Sequence, residues 1–169
     1  MTVLSGKSPA LRLFALVLFL GGSASAADQA IVGKKLVIKN PLSGTANNRV
    51  LHLAKDPNIN VGIAGSAGDP QCSGAGGGGT SSLRIVASGG AGDITIPLPC
   101  GGWTTNGTNN LYRYRDTSGA SCMVVVVKDG VLAKAVCKGS QVGIDLNGSM
   151  SPVTVVTTLN SEQYCTEFK

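Results

Sequence analysis

Every apolar run beyond residue 34 of this chain is short, rich in β-branched residues and ended by Gly, Asn, Asp or Pro. No window holds apolar residues at i, i+3, i+4 and i+7 for three turns without Gly or Pro, so no amphipathic helix can be built. Short runs that recur at this density are the pattern of packed antiparallel sheets. They predict strands at Lys35–Lys39, Arg49–Ala54, Leu83–Ala87, Asp93–Leu98 and Leu111–Arg115. Further strands are expected at Ser121–Lys128, Val131–Lys138, Val142–Leu146, Pro152–Leu159 and Glu162–Phe168, with a short candidate at Asn60–Ile63. The expected fold is all-β, an antiparallel β-sandwich of about 8–10 short strands.

Side chains alternate between the two faces of a strand, which assigns several residues directly. In Leu111–Arg115, Tyr112 and Tyr114 share one face while Arg113 and Arg115 share the other. Leu36 and Ile38 oppose Lys35, Val37 and Lys39, which places the lysines outward. Met123–Val127 is apolar on both faces, as a central strand would be. His52 alternates with Leu51 and Leu53 and is expected on the outer face. The segment Gly62–Thr80 holds eight glycines. It is predicted to be one long, mobile surface loop, since it offers little apolar surface to offset its ordering entropy.

Asp129-Gly130 between two Val-rich runs is a signal for a two-residue type I′ hairpin turn. Such a turn opposes Lys128 to Val131 and places Cys122 directly across from Cys137, within reach of a disulfide. A three-residue turn over Lys128–Gly130 would instead oppose Cys122 to Val136 and send the two thiols to opposite faces. Of the other three cysteines, Cys100 and Cys165 are expected to pair, leaving Cys72 free in the Gly-rich loop. No Cys-x-x-Cys occurs, so zinc-ribbon and redox spacings are absent.

The amino end carries an address. Lys7 and Arg12 precede an apolar core, Leu13–Leu20, and small residues then lead to a cleavage site between Ala26 and Ala27. Eight strongly apolar residues are too few to span a bilayer. Residues 1–26 are therefore read as a signal peptide, 27–33 as a short N-terminal linker and 34–169 as a single β-sandwich domain. Of 169 residues, removal of 26 leaves 143, with 12 Lys and Arg against 9 Asp and Glu. The protein is expected to be exported, periplasmic or extracellular, without stable membrane insertion after cleavage. No run of Lys and Arg exceeds two, which argues against a nucleic-acid partner.

Catalytic sets are missing. With one His, neither a multi-His metal site nor a familiar Ser/His/Asp order can be assembled. Ala64–Gly68 resembles a nucleophile elbow around Ser66, but His52 lies upstream of it. Gly74–Gly79 satisfies G-x-G-x-x-G literally, yet it precedes a strand instead of opening a helix. The acids sit mostly at turns and strand ends, where Asp bonds local backbone. No cofactor is expected. Trp103, with Arg113 and Arg115 beside the two tyrosines, is the candidate recognition surface.

Five stretches carry a resemblance: Gly33–Lys39 with Leu53–Pro57, Ile96–Pro99 with Trp103, Tyr112–Asp116, Val127–Lys134, and Pro152–Val155 with Tyr164–Phe168. On these, the chain resembles a domain of uncharacterised exported bacterial proteins, mainly deltaproteobacterial and often present as several paralogues. The resemblance implies an exported all-β domain and brings no activity with it. The leading expectation is a non-enzymatic exported domain with a structural, cell-surface or binding role, its partner a protein or a glycan. The alternatives are a secreted carboxylate-dependent hydrolase, which needs two converging acids, and a small secreted inhibitor or ligand presenting the Gly-rich loop.

Overall fold

The structure is a computed structural model that describes residues 27–41, 44–72, 80–88, 92–106, 108, 110–119, 121–144 and 150–169. The expected signal peptide, with Ala26 of its cleavage site, lies outside the described residues. Eleven strands are described: β1 (Ala27–Ala30), β2 (Gly33–Lys39), β3 (Arg49–Ala54), β4 (Ser82–Ala87), β5 (Asp93–Pro97), β6 (Trp103–Thr105), β7 (Leu111–Tyr114), β8 (Cys122–Lys128), β9 (Leu132–Lys138), β10 (Val153–Leu159) and β11 (Glu162–Phe168). They form a five-stranded sheet, β1-β11-β10-β4-β5, and a six-stranded sheet, β2-β3-β9-β8-β7-β6. All pairings are antiparallel except β1 with β11. The expected all-β sandwich is the observed fold.

Two strands are additional to those expected. β1 occupies the stretch read as a linker, and it pairs through its backbone with β11. It has no alternating apolar pattern to announce it. The Gln29 amide anchors it by donating to Asn60 O at 3.0 Å and accepting from Asn60 N at 2.9 Å. The exchange holds Asn60–Ile63 as a loop, not the short strand that was a candidate. Val142–Leu146 is not a strand where it is described: Ser140–Val142 forms a 3-10 turn, and residues 145–149 lie outside the description.

The inner faces meet in one core. Val50, Ala54, Ala133, Ala135, Val125, Val127, Tyr112 and Tyr114 come from the six-stranded sheet. Leu83, Ile85, Ile96, Val155, Leu159 and Tyr164 come from the other. As expected, Tyr112 and Tyr114 are buried and Arg113 is exposed. His52 departs from expectation: it is fully buried between the sheets, and Leu51 and Leu53 take the outer face. The small inward residues around it explain the inversion. His52 stands opposite Ala135 in the ladder, leaving room for an imidazole that meets Thr166 Oγ1 at 3.2 Å and Phe168 edge-on at 5.9 Å. Gly33 lets the sheets close here, since a Cβ on it would stand 2.6 Å from Thr166 Cγ2.

Cys122 and Cys137 are opposite one another and bonded, but not through the expected turn. Lys128 opposes Leu132, so the turn holds three residues, Asp129 to Val131. Gly130 has φ 59° while Asp129 is not in the positive-φ region, so the turn is not type I′. A bulge between Cys122 and Val124 inserts Met123 and restores the pairing of the cysteines. The second disulfide is Cys72–Cys100, not Cys100–Cys165, and Cys165 is the free thiol. The reason is alternation along β11: Tyr164 and Thr166 point into the core, so Cys165 points out. It also sits three strands from β5, the strand that leads to Cys100.

The first half of the Gly-rich segment is pinned. Buried Asp69 accepts from the backbone of Gly65 and Gln71, Asn160 donates to Asp69 O, and Ser161 N donates to Ala67 O. The disulfide then fixes Cys72. Residues 73–79 lie outside the described residues.

Candidate functional site

Charge is divided between the two sheets. The six strands of the larger sheet contain eight Lys and Arg and no Asp or Glu. The five strands of the other contain Asp28, Asp93, Glu162 and Glu167 with a single cation, Arg84. Alternation sends seven of these cations outward, because the inner positions are claimed by the core, while Lys34 sits in the irregularity between Gly33 and Lys35.

Their pairing gives the face an order. One row across the strands reads Lys35, Leu53, Lys134, Val126, Arg113, Thr104. Cations there fall on every second strand, about 10 Å apart given ordinary strand spacing. A second row sets Lys39, Arg49 and Lys138 directly side by side. Like charges in direct cross-strand register destabilise a sheet when nothing neutralises them. Among the described residues the ion pairs are Arg84–Asp93 and Lys169–Glu167, and neither involves this face. Between the rows lie half-buried Val37, Leu51, Val136 and Val124, with Met123 at 42% exposure on the bulge.

A shallow concavity of about 430 Å³ opens on the same face, lined by Arg113, Arg115, Met123, Val124 and Val136 together with Asp116 and Thr117. Asp116 is committed to its own loop. The hydroxyl and N–H of Ser118, then those of Ser121, donate to its carboxylate and hold its pKa at about 2. A larger concavity, about 480 Å³, lies on the other sheet and is lined by Ser, Thr, Pro and Leu98. It contains no ionisable group.

The expected recognition residues separate. Arg113 and Arg115 are exposed on the basic face. Trp103 is not on any surface. It is buried, its indole N–H donates to Leu98 O at 3.1 Å, and its ring lies 5.4 Å from that of Tyr114. With few aromatics in the chain, the core claims the largest one. Three further acids are occupied with backbone: Asp56 accepts from Val32 and Asn58, Asp69 from Gly65 and Gln71, and Asp129 from Val61. Among the described residues no three His, Cys, Asp or Glu side chains gather as metal ligands would. Burial pushes the Cys165 thiol pKa up, which makes it a poor nucleophile.

Sequence reasoning missed Lys35, Lys39, Arg49, Lys128, Lys134 and Lys138 as one set. The outward direction of the β2 lysines was legible, but the neighbours that complete the face come from strands far away in sequence. No family model, curated protein or solved structure matches this chain.

Proposed function

We propose that this chain is an exported, non-enzymatic β-sandwich that binds a partner at the cell surface or in the periplasm through the outer face of its six-stranded sheet. One observation carries the reading: eight cations and no acid on the strands of one sheet, against four acids and one cation on the other. Two disulfides favour an oxidising compartment, and none of the described helices is long and apolar enough to cross a membrane. The commitment of His52 to the core and of four aspartates to backbone and serine donors supports a binding role over a hydrolytic one.

The experiment adds the labelled chain from Ala27 onward to intact envelopes of the source cell. The unmodified chain should be retained, the double variant Lys134→Glu/Arg113→Glu should be released, and Thr95→Glu on the opposite sheet should behave as the unmodified chain. Equal retention of all three refutes the assignment of the face.

A further inference from the structure

Resting on the reading of that face as a binding surface, we infer that its partner is a linear acidic polysaccharide that lies across the strands, with its anionic groups on alternate sugar units. The row Lys35–Leu53–Lys134–Val126–Arg113 is the basis. It places a cation on every second strand and an apolar side chain on each strand between. A β-linked pyranose chain advances by nearly one strand spacing per sugar. A chain laid along the row therefore sets every second sugar against a cation, at steps of about 10 Å. The intervening sugars present their C–H faces to Leu53 and Val126. Arg113, at the end of the row, offers a planar fork that matches a carboxylate or sulfate. The trio Lys39, Arg49 and Lys138 on the same face adds a denser positive pole that strengthens its attraction for a polyanion.

Other occupants fit less well. A second copy would have to offer a negative surface, but on the five-stranded sheet Asp93 is paired with Arg84 and Glu167 with Lys169, which leaves only Asp28 and Glu162 of its four strand acids to face the cations of the larger sheet. A bilayer surface is gripped by aromatic side chains at the interface, and here Trp103, Tyr112 and Tyr114 all point inward. The apolar side chains of the row lie within the sheet surface, leaving little to insert.

Calorimetric titration of the exported chain with hyaluronan oligosaccharides, whose carboxylates fall on alternate sugars, tests this. Binding should weaken as salt rises, fall roughly tenfold or more in Lys134→Glu and persist in Thr95→Glu. Neutral dextran should not bind, and phosphatidylglycerol vesicles and duplex DNA should bind more weakly than hyaluronan. Circular dichroism of each variant checks that the fold is kept. Equal binding of dextran, no loss in Lys134→Glu, or tighter binding of vesicles or DNA overturns the inference. If hyaluronan fails to bind while the envelope experiment still depends on Lys134 and Arg113, the ligand assignment falls and the face stands. If neither depends on them, both readings fall.

Discussion

Acidification should loosen this fold through a single side chain. The chain has one histidine, and burial lowers the pKa of His52 from 6.5 to about 4. It sits against Thr166, Phe168 and Ala135, and among the described residues no acid offsets the cost of burying an imidazolium. The folded state therefore binds this proton less tightly than the unfolded chain does. The stability is fully present above pH 6.5 and is lost as pH falls toward about 4. At 1.36 kcal/mol per pKa unit, the whole loss is about 3 kcal/mol, most of it complete near pH 4.5. Urea unfolding at constant ionic strength, repeated at half-unit steps from neutral pH downward, reads it as a falling midpoint at constant slope. His52→Gln keeps a polar group toward Thr166 and has nothing to titrate, so its midpoint should stay level over the same range. Asp116 does not confuse the result, because its carboxylate, held near pKa 2, loses its contribution only below the ordinary carboxylate range. Parallel profiles for the two proteins between pH 6.5 and 4.5 would show that the buried imidazole is not the group responsible.

Non-reducing peptide mapping should find Cys122 linked to Cys137 and Cys72 linked to Cys100, with Cys165 alkylated slowly until the protein is denatured; any link to Cys165 contradicts the structure. Replacing Cys122 and Cys137 together by Ala should lower stability by roughly 3 kcal/mol, the loop-entropy value for a 15-residue closure, as measured by the urea midpoint. Deleting Met123 should leave the fold and this disulfide intact, because the deletion converts the bulged ladder to a regular one. Mass spectrometry showing free thiols in that variant would refute the account of the register. Gly33→Ala should cost about 1–3 kcal/mol by crowding Thr166 and Phe168, and an unchanged melting temperature would mean the sheets yield at that point.

What the sequence disclosed here was local. Alternation in Leu111–Arg115 correctly separated the tyrosines from the arginines, because that pattern belongs to one strand. The cysteine pair of the β8–β9 hairpin was also found, though by a route the molecule does not take. One extra turn residue and one bulge residue offset each other, and turn chemistry alone reveals neither. His52 was misplaced because Leu51 and Leu53 look like core residues, whereas the space that receives the imidazole is set by Ala135 and Gly33 on neighbouring strands. β1 was read as a linker because a strand held at a sheet edge by backbone bonds needs no apolar alternation. The basic face was hidden for a related reason. Its cations lie outward on strands from β2 to β9, and only the order of strands in the sheet brings them together.

The parallel pairing of β1 with β11 ties the first strand of the sandwich to the last. A chain made from its amino end presents β1 long before β11, its one ladder partner among the described residues, exists. That edge of the five-stranded sheet therefore stays open until β11 has been made. The β8–β9 hairpin and its disulfide need only nearby chain and can form beforehand. Completion of the sandwich thus waits on the synthesis of β11. A chain cut short within β11 loses two strands from one sheet, which leaves β10 as an uncovered edge open to intermolecular pairing.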